Sequence, residues 1–193
     1  MKYKNILSLL MVVISLRPQV SKAQEFQPGD MVLHVGLGIG SIYGIASQSY
    51  SGNAYFLPAF HGSLEKGLRE LGPGVLGVGG SLSYQAGGYH YVGGYNAGYG
   101  ALVLAARGAY HPDFMEGKNY DVYGALQLGI RYYHYYDQFF DHMYGNTSYD
   151  YNNFYPFASI VVGGRYYFSS NIGVFAELGY DVCYLKAGIA LKL

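Results

Sequence analysis

Apolar residues alternate with small or polar ones along nearly the whole chain from Met31 to Leu193, and this period of two constrains the fold more than any motif does. In a β-strand it sends every second side chain to the same face. Met31, Leu33, Val35, Leu37 and Ile39 interleave with His34, Gly36, Gly38 and Gly40. A second strand is expected from Ala54 to Glu65, with Phe56, Phe60 and Leu64 opposite Ala59, His61, Ser63 and Glu65, weakened locally by Pro58. A third begins at Val75 and sets Leu76, Val78, Leu82 and Tyr84 against Ser81, Ser83 and Gln85. Leu102, Leu104 and Ala106 then alternate with Val103, Ala105 and Arg107 until Pro112, and Val122, Leu126, Leu128 and Ile130 with Tyr123, Gln127 and Arg131. The last three strands carry Ile160, Val162 and Tyr166, then Val174, Ala176 and Leu178, then Leu185, Ala187, Ile189 and Leu191 on one face. Between them, Lys66 to Gly74, Asp113 to Asn119 and Ser169 to Asn171 are expected as turns, and Gly87 to Gly94 as a loop. Asp137 to Asn153 is the longest and most polar connection, and the total is eight strands.

Which medium meets the apolar face follows from composition. Hydrophobic residues make up 51% of the chain and charged ones 12%, yet nothing after Leu16 is long enough to cross a bilayer as a helix. Strands whose one face meets lipid and whose other face is enclosed satisfy both facts, provided the sheet closes, because lipid cannot pair an open edge. The expected fold is therefore all-β, an eight-stranded antiparallel transmembrane β-barrel with up-and-down meander topology. A soluble ligand-binding barrel would show the reverse pattern, apolar inside and charged outside. The 24 Tyr and 10 Phe suit the two bilayer interfaces, and the 29 Gly suit a bent wall.

Residues 1–23 read as a signal peptide: Lys2 and Lys4, an apolar run from Ile6 to Leu16, and Ser21-Lys22-Ala23 before the cut. Residues 24–193 are then the barrel domain. Removing Lys2, Lys4, Arg17 and Lys22 leaves a formal charge of −4, which argues against a nucleic-acid partner. Cys183 is the single cysteine, so no disulfide forms within the chain.

By parity, Glu65, Arg107, Arg131, Arg165, Glu177 and Lys186 all point into the lumen. An interior as narrow as that of eight strands is filled by side chains, so these charges are expected to pair as a plug. The other reading is a narrow ion path lined by the arginines. His34, His61, His90, His111, His134 and His142 are scattered without metal-ligand spacing, and no cofactor is expected. His61-Gly62-Ser63 with Glu65 lacks an orienting partner and an oxyanion donor, so catalysis is not expected. Gly36-x-Gly38-x-Gly40 has no following helix and reads as wall curvature instead of a phosphate loop. Candidate loop contacts are Tyr136, Asp141, His142, Tyr144, Tyr149 and Tyr151, in a mixture of Tyr, Asn and Asp that suits binding. Their other reading is an interfacial girdle continued into solvent.

Gly163-Gly164-Arg165-Tyr166-Tyr167-Phe168, Ile172 to Tyr180, and Lys186-Ala187-Gly188-Ile189-Ala190-Leu191-Lys192-Leu193 carry a resemblance. In them the chain resembles the small outer-membrane β-barrel family of OmpA- and OmpX-like proteins. That resemblance implies export to the outer membrane of a Gram-negative cell and contact with outer-membrane lipid. It also implies a last strand read by the insertion machinery, although Leu193 stands where an aromatic is commoner. The implied role is structural or surface-interacting, with a surface ligand or an envelope protein complex as partner and no catalysis. A porin-like channel is the alternative, and a lipid-modifying enzyme ranks below it.

Overall fold

A computed structural model describes residues 26–40, 52–114, 119–143 and 150–193; the expected signal peptide lies outside them. The strands are β1 (Met31–Ile39), β2 (Gly52–Phe56), β3 (Ala59–Glu70), β4 (Gly74–Tyr91), β5 (Asn96–Pro112), β6 (Tyr120–Asp137), β7 (Tyr151–Tyr167), β8 (Ile172–Gly179) and β9 (Leu185–Lys192). One short helix, α1 (Gln138–Met143), follows β6. Every pairing is antiparallel, in the order β4-β3-β1-β9-β8-β7-β6-β5, and β5 returns to β4. The sheet is a closed ring of eight strands.

β2 is not a ninth wall. It continues β3 along the same neighbour, with Phe56 opposite Gly87 and Phe60 opposite Tyr84. The break falls at Leu57-Pro58, where proline has no N–H for the ladder, although Leu57 still donates to Ala86 O at 3.0 Å.

Alternation sets the two faces as the sequence pattern requires. On β6, Gln127 is 1% exposed and its neighbour Leu128 66%. Leu104, Leu126, Ile160, Leu178 and Ile189 likewise stay exposed on the outer face, and Glu65, Arg107, Arg165, Glu177 and Lys186 are buried in the lumen. Aromatic residues flank the apolar belt: Tyr166 and Phe168 near the chain ends, Tyr84, Phe154, Tyr180 and Tyr184 at the opposite rim. Such paired girdles mark the two interfaces of a membrane barrel.

Three connections differ from expectation. Lys66 to Gly74 is not a turn; β3 runs to Glu70 with a register shift between Gly67 and Arg69, and only residues 71–73 turn. Gly67 sits too close to the Gln27 carbonyl for any Cβ, 2.4 Å, which lets the N-terminal segment lie against the strand there. Gly87 to Gly94 is not a loop either, because β4 continues to Tyr91 and turns only over residues 92–95. Here the glycines make room for rings: a Cβ on Gly87 would meet the Tyr99 ring at 2.8 Å, and one on Gly88 the Tyr55 ring at 2.6 Å. The long connection is also shorter than expected, since Tyr135 and Tyr151 are already paired. Finally, β4 to β7 have 17 or 18 residues each, against the 9 or fewer of β1, β8 and β9. One side of the barrel is therefore about twice as tall as the other.

Candidate functional site

Five of the six expected lumenal charges meet. Glu177 lies at the centre: Arg107 Nη2 donates to its Oε1 at 2.7 Å, Tyr123 OH donates to the same oxygen at 2.9 Å, and Lys186 Nζ sits 3.0 Å from Oε2. Glu65 accepts from Arg107 Nε at 3.2 Å and from Arg165 Nη2 at 3.1 Å. The two arginines therefore link β3, β5, β7 and β8 across the lumen. Arg131 does not join these pairs. It lies farther up β6, opposite Tyr155, with its guanidinium 5.5 Å from that ring's centroid.

Further groups complete the network. Arg165 Nη1 donates to Asp121 at 3.0 Å, and Lys186 Nζ to Asp181 at 2.7 Å. His111 has Glu65 Oε1 2.6 Å from Nε2 and Asp121 Oδ1 2.9 Å from Nδ1. A ring with a carboxyl oxygen at each nitrogen is placed as an imidazolium would be, with an acceptor for both N–H groups. Four carboxylates are then matched by Arg107, Arg165, Lys186 and His111. The balance matters because an uncompensated charge in this enclosure would carry the full cost of its lost hydration. His34 Nε2 accepts from Arg165 Nε at 2.8 Å, so this ring is held in the opposite role. Parity from Arg107 and from Tyr123 points to His111 and Asp121, but both lie beside the β5–β6 turn, where the strand pattern blurs. Asp181 shares the parity of Glu177 but lies past the end of β8, in the connection to β9.

His61 and Ser63 do not pair with each other. His61 Nδ1 is 2.8 Å from Ser83 Oγ and Ser63 Oγ is 3.2 Å from His34 Nδ1, all four buried. Both couples run across strands in the packed interior. Among the described residues no group of three or more His, Cys, Asp or Glu is arranged to hold a metal.

Residues of the chain itself pack into both ends of the lumen. At the end carrying the described chain ends, Phe26 lies against His111, with ring centroids 4.2 Å apart and the planes tilted by 34°, and Arg165 is 5.2 Å from its ring. The following turn is tied down by Asp30, which accepts from Gln27 N at 2.8 Å and pairs with Lys192 at 2.7 Å. At the far end the β8–β9 connection folds inward instead of outward. Val182 and Cys183 are wholly buried, packed with Ala59, Ala101, Val103 and Phe157. Asp181 Oδ1 accepts from Val182 N and Cys183 N, which fixes the inward turn. Gly38 makes this insertion fit, since a Cβ there would stand 2.2 Å from Cys183 Sγ. Likewise Gly36 leaves room for the Phe175 ring, at 2.8 Å.

Above the ring the tall strands go on alone. β8 ends at Gly179 opposite Val161, so residues 151–160 of β7 pair with β6 and, among the described residues, with no strand on their other edge. Ten residues rise roughly 30 Å along the strand. With β2, β4, β5 and β6 they form a projecting sheet. Its outer face carries Tyr132 and His134, both bonded to Asn152 Oδ1, and its upper end holds α1. Tyr91 and Tyr135 donate to Asp137 at 2.9 and 2.8 Å.

Of the six expected loop contacts, the four that fall on described residues are dispersed over this sheet and α1. Tyr136 and Tyr151 prove to be strand residues: Tyr136 covers Gly98, and Tyr151 is hydrogen-bonded to Tyr155. His142, in α1, stacks on Tyr95 at 5.0 Å. Asp141 also lies in α1, with its side chain outside the description, and Tyr144 and Tyr149 lie outside the described residues.

No protein-family model matches the chain, and no curated protein matches it. Among solved structures it is similar to Ail, the attachment invasion locus protein of Yersinia pestis, in complex with the heparin analogue sucrose octasulfate. The identity is 12% over 86% of this chain and 96% of that one, with a TM-score of 0.48. It is also similar to the N-terminal β-barrel domain of Pseudomonas aeruginosa OprF, at 18% identity over 87% and 98% of the two chains and a TM-score of 0.41. Both neighbours are small outer-membrane β-barrels.

Proposed function

We propose that this chain is a non-catalytic outer-membrane barrel of a Gram-negative envelope, whose lumen is a structural plug and whose projecting sheet meets a partner at the cell surface. One observation carries the reading: Phe26 and Val182-Cys183 pack into the two ends of the lumen, with a charge-balanced network between them. A continuous wet path would have to break ion pairs at Arg107, Arg165 and Lys186 together. The apolar belt and its aromatic girdles support a bilayer around the wall, and β9 is the strand offered to the insertion machinery.

The partner class follows from the projecting sheet. Among the described residues there, Arg131 is the single Lys or Arg, so a sulfated ligand like that of Ail does not suit it. Tyrosines, histidines and asparagines suit a neutral glycan or a protein surface. In planar bilayers the purified barrel is expected to pass no steady current. Replacing residues 138–150 by a short turn should leave insertion intact and abolish binding of expressing cells to a neutral-glycan and protein array. Steady ohmic conductance of the wild type overturns the plug, and undiminished array binding overturns the surface role.

A further inference from the structure

We propose that the gap in the barrel wall between the end of β1 and the β2–β3 break is a binding site for one hydroxylated acyl chain of the surrounding lipid. The inference rests on the membrane reading above and adds a ligand to it. β1 and β3 pair as far as Gly38 opposite Ala59, and beyond that rung β2 follows β4 away from β1. Among the described residues the separation leaves a cleft of about 420 Å³, with Gly38 to Gly40 on one side, Phe56 to Pro58 on the other and Gln85 between them. That volume lies within the range of small-ligand sites.

Three features fix the occupant. First, the mouth is apolar and continuous with the lipid-facing surface, since Ile39, Phe56, Leu57 and the adjacent Phe60 are all exposed. An acyl chain therefore reaches it by sliding in the plane of the bilayer. Second, nothing zips the two walls together: Pro58 has no N–H to extend the ladder across the gap, and the sides of Gly38 and Gly40 without a Cβ are taken by Cys183 and Tyr184 and not by any group of β2. Third, Gln85 is 2% exposed and its Oε1 has no hydrogen-bond partner in the described structure. A buried acceptor left empty favours whatever brings it a donor. A plain hydrocarbon chain fills the cleft but leaves that oxygen unmet, whereas a chain with a hydroxyl group satisfies both.

Native mass spectrometry of the barrel released from detergent micelles, loaded with methyl β-hydroxymyristate and methyl myristate in competition, tests this. Wild type should retain the hydroxylated ester about tenfold over the plain one, as expected for one hydrogen bond to a buried acceptor. In Gln85→Met, which keeps the volume, the preference should vanish while binding of the plain ester stays. Leu57→Trp, which fills the mouth from an exposed position, should lose both. Equal retention of the two esters by wild type, or a preference that survives in both variants, overturns the site; the first result is also expected if water alone meets Gln85. Insertion of wild type into lipid vesicles is scored separately. Failure there overturns the membrane reading, and an inserted barrel without the preference overturns only the acyl-chain site.

Discussion

Each lumenal charge is held by several partners, so the effect of losing one depends on what it leaves behind. Glu177 answers Arg107, Lys186 and the Tyr123 hydroxyl at once. Glu177→Ala should therefore leave Arg107 without its nearest carboxylate and Lys186 with Asp181 alone, and cost about 3–5 kcal/mol, read as a lower urea midpoint for unfolding from lipid vesicles. Removing Lys186 and Asp181 together should cost less than removing Lys186 alone, because the pair leaves no stranded charge. A double cycle in which the two losses simply add would contradict that coupling. At this scale parity made the inward residues legible but not their partners. Arg131 has the right parity, yet it lies four residues along β6 from Gln127, which is level with Arg107. That offset is roughly 13 Å along the strand, which sets it apart from Arg107 and the two glutamates that Arg107 bridges. Height along a strand depends on register and tilt, which a single sequence does not state.

For the elements, the stretch from Gly87 to Gly94 shows how a strand can pass for a loop. Glycine runs read as breaks because an isolated glycine weakens a strand, but in this wall Gly87, Gly88 and Gly98 lie beneath tyrosine rings that restore the lost packing. Such compensation comes from a neighbouring strand and is invisible locally. Gly38 shows the same logic between two elements, since the β8–β9 turn enters the lumen only because Gly38 has no Cβ. Gly38→Ala should expel that turn. Cys183, wholly buried in the native barrel, should then react with a membrane-impermeant maleimide within minutes, whereas wild type stays unlabelled under the same conditions. An unlabelled Gly38→Ala barrel that retains its native stability would show that the turn is held by something other than this fit. Pro58, by contrast, was readable as a weak point, and the wall divides there.

The whole molecule has a direction built into its walls. The β3–β4 and β7–β8 turns and both described chain ends gather at one rim, while the tall strands and α1 extend from the other. Barrels of this architecture keep short turns on the periplasmic side and longer extensions outside. The expected orientation therefore puts His142 outside the cell and Ser170 in the periplasm. The protein supplies a quiet background for measuring this, since Cys183 is its single cysteine and is wholly enclosed. On intact cells an impermeant maleimide should label His142→Cys, an exposed helix position whose change removes one ring stack on Tyr95. Ser170→Cys, in the β7–β8 turn, should label only after the outer membrane is permeabilised. Labelling of both variants on intact cells would place the short turns outside. The projecting sheet would then face the periplasm, and its partner would have to be sought among envelope proteins instead of at the surface.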